Sequence, residues 1–595
     1  MKRPSITPSF LSELTGSVPS RLLKKLDKKP ELADGWRWTS SDDEARIETE
    51  SEAVVTIRAA VVAVEADLAC TCLLAPRCLH RLAVATRLPL AGAEDQPATD
   101  ADAADGAALD DPASDDRALL APSAVTDGER RAARCARAAL ASMLSAGVRG
   151  AGATVQAELL RAIHDAREAK LSRLAALLLV TLSRTRAIRD GEPVRVEEVL
   201  AAAAEGLALA WRFEDEDAVT LVDRGLARRT YREMPPTALW GLAAMPIWTK
   251  TGYSGVVTWL VDKAGTVFTA HTLTPADGRG GSAQLALLQT ASLTHAEASR
   301  GQVMLQHGTR SFDRRLGAGK RVLAVVAGKS SLFEDPAAKL FEVPVRAQLE
   351  RFWAEHDRPV VLRRAGWDLL AADATIAGSA GDDELAIVVE GQTLRALRPT
   401  SGGAARDSWR LLTEAAGARV RIVARLVAER ERAVTLVSVA HRGHDPERWD
   451  VGFDETQLAT RSQRHGALRD LLDAARTASS SAGDARPRSA LPEELSRHPW
   501  TTLERIVAQA GQGGWRTLPA SREPELRADQ ATLRGLGLNH GADLLEALRR
   551  AALPRGRHHS GRLLAPDPES FAAAITASKL YLRALAEARH REVWR

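Results

Sequence analysis

Residues 70–80 read CTCLLAPRCLH and hold three of the four cysteines in a chain of 595 residues. No other stretch limits the local fold so tightly, because thiols crowded in this way leave three outcomes: a disulfide, a redox dithiol or a metal site. Cys70 and Cys72 lie two apart, so in an extended strand their side chains leave one face about 7 Å apart, too far for an unstrained disulfide. A redox dithiol usually has two residues between its cysteines at a helix start, a spacing absent here. A metal site suits the spacing better, since period two lets both sulfurs grip one ion from the same side.

Cys78 and His80 are also two apart, yet on a regular helix that spacing turns side chains about 200° from one another. Both can face one ion only if Cys78 precedes the helix and His80 lies in its first turn. Pro76 favours a turn just before that point, and LHRLAVATRL then reads as an amphipathic helix stopped by Pro89. Three thiolates and one imidazole in a tetrahedron are the preference of zinc, with no position left open for water or substrate. Such a set describes one structural Zn2+.

Composition supports this choice. Four cysteines in so long a chain do not make a disulfide scaffold and agree with a reducing cytoplasm. The hydrophobic fraction of 45% and charged fraction of 27% are ordinary for globular proteins. The start MKRPSITPSFLSELTGSV lacks the apolar run of a signal peptide, and LAALLLVTL, the richest apolar run, is about half a membrane span. A cytoplasmic protein with no membrane partner is expected. Net charge is +4, but residues 91–127 carry ten acids against the single base Arg117, so the rest of the chain is basic. A basic body attracts polyanions, although an excess spread over so many residues is a weak argument for nucleic acid.

The period of the apolar residues changes several times, and the expected fold class is α+β. Residues 1–40 read as a helical arm, 41–90 as a finger module, and 91–128, rich in Ala, Asp and Pro, as a flexible acidic linker. Three- and four-residue spacing marks a helical domain over 129–235. Alternating runs mark a β-rich domain over 236–344 and a second over 345–442, whose five or so strands and one helix suit a small barrel of OB type. A linker over 443–490 and a C-terminal helical domain over 491–595 complete the chain.

The order C-x-C-x5-C-x-H, preceded by strands and followed directly by a helix, resembles the SWIM zinc finger. The resemblance covers residues 45–90 and implies a ββα module whose ligands are Cys70, Cys72, Cys78 and His80. Two departures stand out: the loop is short, and Leu79 occupies a position where lysine is common. The stretches TKTGYSGVVTWLVD and LERIVAQAGQGGWRTLP are similar to parts of large bacterial SWIM zinc finger proteins. What the resemblance implies is a DNA-binding or protein-interaction element. Some bacterial members are described as working beside AAA-type ATPases and von Willebrand A-like partners.

Arg77, Arg81 and Arg87 surround the cluster. Arginine forks pair with phosphate oxygens, so these three are the nucleic-acid contacts to weigh; equally, they offset the charge of −1 on a zinc with three thiolates. Other motifs carry less. RLGAGKR, residues 315–321, has arginine where a phosphate loop needs glycine and serine or threonine, and reads as a hairpin or strand-entry turn. HRGHDPE offers His441, His444, Asp445 and Glu447 in what reads as a solvated turn. Trp36 and Trp38 share a strand face and read as core before base-stacking. Cys135 reads as a small apolar packing residue. No nucleophile elbow, metalloprotease helix or paired carboxylate site stands out, so no catalysis is expected.

Overall fold

The computed structural model describes most of residues 4–594. The main stretches outside the described residues are 90–118 and 454–497. Shorter ones lie at 1–3, within 8–31, and at 41–43, 51–52, 227–228, 249–252, 276–280, 290–292, 400–405 and 443–447, with a few single positions elsewhere. The linkers expected at 91–128 and 443–490 therefore fall largely outside this description. Among the described residues no helix is long and apolar enough to cross a membrane.

Helix and sheet are mixed, as an α+β class requires, and they form two compact units. The first joins residues 1–96, 116–227 and 497–585. Its amino-terminal part is a four-stranded antiparallel sheet of Arg37–Ser40, Ala45–Glu48, Val54–Ile57 and Leu68–Cys70, in that order. Alternation works as period two predicts: Ala45, Ile47, Val55 and Ile57 are buried, while Arg46 and Glu48 are exposed. The helix Leu79–Arg87 lays Leu82, Ala83, Val84 and Ala85 into the same core.

This module is larger than a ββα finger. Arg37–Ser40, at the end of the 1–40 range but read there as period-two alternation, is a strand of the sheet, and Ser5–Ile6 pairs in parallel with Val61–Val62. A two-residue strand has no period for a sequence to reveal; the fully buried Ile6 and Val62 hold it instead.

Downstream, helices Asp127–Ala146, Ala153–Glu168, Ser172–Arg189 and Val196–Asp215 form a bundle. Thr126 starts the first with a reciprocal cap: its hydroxyl accepts from Glu129 N at 3.2 Å, and its own N–H donates to Glu129 Oε2 at 2.8 Å. Pro122–Ala124, inside the range read as a linker, is a strand paired with Ala218–Thr220. PSA has almost no strand propensity, so that pairing depends on a distant segment: Arg224 donates to Ala124 O at 2.8 Å and to Glu129 Oε1 at 2.6 Å. The C-terminal helix Thr501–Gly513 closes onto the first bundle helix, where Gly147 (φ 77°) and Gly514 (φ 71°) face each other so closely that a Cβ on either would overlap the other strand of backbone. The stretches expected as separate finger, helical and C-terminal domains share one continuous core, from Ile47 and Leu82 through Leu140 and Leu178 to Leu503 and Phe571.

In the second unit, residues 237–329 build a five-stranded antiparallel sheet in the order Val267–Pro275, Tyr253–Val261, Thr237–Trp248, Gly301–Gln306, Leu323–Lys329. The short helix His295–Arg300 packs on it. His295 is fully buried and satisfied on both ring nitrogens, by Thr258 Oγ1 at 2.7 Å and Thr272 Oγ1 at 2.9 Å.

Five further strands of this unit pair in a ring. Leu369–Gly381 lies between Glu384–Val389 and Arg419–Leu426; Glu384–Val389 pairs with Gln392–Leu397, and Arg419–Leu426 with Ala433–Ala440. A parallel pairing of Arg395–Leu397 with Ala433–Thr435 joins the ends. The helix Arg406–Glu414 connects the third strand to the fourth, with Trp409 and Leu412 buried in the same core as Leu370, Ile387, Leu394 and Val434.

Candidate metal centre

Cys70 ends the strand Leu68–Cys70, opposite Val55. The extended chain runs one residue further, because Thr71 N donates to Val54 O at 3.0 Å and Val54 N donates back to Thr71 Oγ1 at 2.9 Å. After Cys72 the chain turns, with Ala75 N donating to Cys72 O at 3.1 Å. Cys78 is the N-cap of the helix Leu79–Arg87, and its Sγ accepts from Arg81 N at 3.4 Å. His80 follows in the first turn, the placement its spacing from Cys78 demanded.

One donor atom from each of Cys70, Cys72, Cys78 and His80 lies within 4.8 Å of the other three. Cys70 Sγ is 3.9 Å from His80 Nδ1. A tetrahedral zinc with arms of about 2.3 Å to sulfur and 2.0 Å to nitrogen has edges of about 3.6–3.8 Å, so the four donors fit one ion with a small contraction. The set is complete without any ligand from elsewhere.

Electrostatics agree with a cation at the centre. Burial, with help from the neighbouring Cys78, pushes the Cys70 thiol up to about 12, and burial raises Cys78 as well. Burial acts most strongly on Cys72 and would raise it, but hydrogen bonds with Cys78, Cys70 and the backbone of Leu74 and Ala75 together outweigh that and lower it. Three thiolates in so small a volume repel one another unless a metal compensates them. His80 is lowered by burial and by Lys25, so its imidazole is neutral and ready to ligate.

Arg81 and Trp36, weighed from the sequence for other roles, hold this arrangement. Arg81 is only 2% exposed. It donates to the Pro76 carbonyl in the loop and, at 3.3 Å, to both the Glu65 carboxylate and the Glu65 carbonyl. It thus ties the loop between Cys72 and Cys78 to the turn before the last strand. Trp36 packs edge-on against the His80 ring, 5.7 Å between centroids.

The three arginines weighed for phosphate contact part company. Arg81 is buried within the module, out of reach of a polyanion. Arg87 is engaged by Asp34 at 2.8 Å and Asp190 at 2.7 Å, which fastens the finger helix to the bundle helix Ser172–Arg189 and its C-cap. Arg77 alone is exposed. Arg186, half-buried and lowered by desolvation to about 10, donates to the Thr86 carbonyl near the end of the finger helix. No spacing rule connects residues a hundred positions apart, so only the fold reveals these ties.

Among the other motifs, Trp36 is buried and Trp38 donates to Ala33 O at 2.8 Å, so both serve packing. Cys135 corrects its expectation: it is exposed, because its helix turns it away from the stripe of Ala132, Ala136 and Ala139. Leu316–Gly317 pairs with the upstream Thr309–Arg310, while Ala318 and Lys320, at the centre of the motif, lie outside the described residues. So do His444, Asp445 and Glu447. Compared with known proteins, the chain matches no family profile, no curated protein and no solved structure.

Proposed function

We propose that this chain is a non-catalytic, zinc-stabilised binding protein of the SWIM finger type, acting in the cytoplasm on nucleic acid. The observation that carries the proposal is the closed Cys3His donor set at a strand end and helix start. A site with four protein ligands organises structure and leaves no position for substrate, so the single zinc acts through the fold. The resemblance supplies the binding role. The ring of strand pairings over 369–440 supports an OB-type barrel, an architecture that also serves oligonucleotide binding.

Within the finger, Arg77 is the residue left to meet phosphate, while Arg81 and Arg87 act as positioning residues. The finger helix is largely buried in the first unit and contributes to scaffold. A second reading, an adaptor that docks an AAA-type ATPase partner without nucleic acid, is favoured by one observation. Val61 and Val64 before the strand Leu68–Cys70, and Leu74 in the ligand loop, are apolar side chains left 45%, 56% and 64% exposed.

Zinc stoichiometry, measured together with a DNA titration at two ionic strengths, separates the readings. One zinc per chain with salt-dependent DNA retention is expected. Retention of an ATPase in a pull-down, with no DNA binding at either ionic strength, establishes the adaptor instead, and metal-free protein removes the finger.

A further inference from the structure

The connection between the helices Asn539–Ala551 and Pro568–Val593 is a small β-hairpin, with Gly556–Arg557 paired antiparallel to Leu563–Leu564. Its sequence is RGRHHSGRLL, and no acid occurs between Glu546 and Asp567. Arg555, Arg557, His558 and His559 are all exposed.

Close to the hairpin in sequence, arginines are matched by carboxylates. Arg549 is paired with Glu546 and Glu523, and Arg550 with Glu546, within a few residues of the hairpin. The hairpin departs from that habit. Arg555 donates through Nε to Ala565 O at 3.0 Å, and Arg557 through Nη1 to Gly561 O at 3.0 Å. Each guanidinium is oriented by a carbonyl of the hairpin, which adds no negative charge. The nearby Asp567 is within electrostatic reach of Arg555, but its carboxylate is taken up capping the next helix through Ser570 N and Oγ, at 2.8 and 2.7 Å. His558 is held by Ser560 Oγ at 2.9 Å, and the two imidazoles lie 3.7 Å apart between centroids.

The apolar side of the hairpin is equally unspent. Leu563 and Leu564 are 42% and 38% exposed, so the two-residue strands are not there to bury a core. An isolated hairpin this short is marginal in water, and its energetic justification must lie in what it contacts.

We infer that the hairpin at 555–565 is a nucleic-acid-binding ribbon, which places Arg555 and Arg557 on the phosphates of a DNA duplex. A two-stranded ribbon fits the major groove, and oriented arginine forks suit phosphate oxygens. Leu563, on the same face as its strand partner Arg557, then meets apolar base edges such as thymine methyls. The inference rests on the nucleic-acid reading above but uses a surface separate in sequence from the finger.

The test is fluorescence anisotropy of the full-length protein with a labelled random-sequence 20-base-pair duplex at pH 7.5 over a series of salt concentrations. Three variants accompany it: Arg555→Ala with Arg557→Ala, the same pair changed to lysine, and Arg77→Ala. Loss of two phosphate contacts lowers the slope of log affinity against log salt by about 1.8. The lysine pair restores the slope, and zinc content and circular dichroism stay those of the parent. If the parent binds and the alanine pair leaves slope and affinity unchanged, the hairpin inference falls while the nucleic-acid reading stands. If the parent does not bind the duplex, both fall. If anionic phosphatidylglycerol vesicles are bound in preference to the duplex and that binding needs the pair, the ribbon is a lipid contact and the inference is likewise overturned.

Discussion

Removing the metal tests the centre most directly, and the structure sets the size of the effect. In a small isolated finger the ion decides folding outright. Here the finger helix and sheet belong to the same core as the bundle, with Ile47, Leu82, Leu140 and Leu503 all fully buried in one cluster. Loss of the ion is therefore felt by the whole first unit, about 300 residues, instead of melting a detached module. A ligand present at about 1,000 times its dissociation constant stabilises by about 4 kcal/mol. With an unfolding entropy of about 2 cal/mol/K per residue, a unit of that size changes Tm by about 6–7 °C. Scanning calorimetry of metal-loaded and chelator-treated protein should show the first unit lowered by that amount and the second unmoved. Cys78→Ser, which removes a ligand and weakens the cap of the finger helix, should lower the same transition by at least as much. A chelated protein whose metal has left and whose transitions stay in place would show that these four side chains do not organise the unit.

Other consequences can be checked separately. Arg81→Ala releases the loop from the Glu65 turn without touching a ligand, and zinc affinity measured by competition with a chromogenic chelator should fall about 10–100-fold, as outer-shell losses do. His295 is fully buried and held by burial at about 4, well below its unfolded value of 6.5. Its contribution to the second unit is intact above pH 6.5 and is lost as pH falls from there towards 4, by about 3 kcal/mol. His271, also lowered by burial, acts in the same direction. Urea titrations at pH 7 and pH 4.5 measure that loss, and a second unit of equal stability at both would contradict it. Gly514→Ala puts a Cβ into the backbone at residues 145–146 at a positive φ, and chemical denaturation should show a loss of at least about 3 kcal/mol in the first unit.

The metal site was legible because its ligands are local. Cys70 to His80 span eleven residues, and the two-residue spacings, together with the turn at Pro76, already imply a strand end, a loop and an N-cap. The strand ring was legible in part: alternating runs and one intervening helix indicate five strands, but the parallel pairing of Arg395–Leu397 with Ala433–Thr435 joins segments whose order no period reports. The roles of Arg81 and Arg87 were not legible. Arginine beside a metal site reads the same whether it meets solvent or Glu65, Asp34 and Asp190, because the partners lie 16, 53 and 103 positions away. Cys135 failed for a related reason, since a helical stripe leaves a neighbour one position off its centre turned outward.

By itself, then, the amino-acid sequence determined the composition of the metal centre, the class of elements along the chain and the places where their period changes, all of which follow from interactions between near neighbours. Tertiary structure alone decided that finger, bundle and C-terminal helices share one interior, which arginines are consumed inside it, and that Arg555 and Arg557 remain facing outward. Those outcomes depend on burial and on charge partners brought together from distant positions, and only the folded chain specifies them.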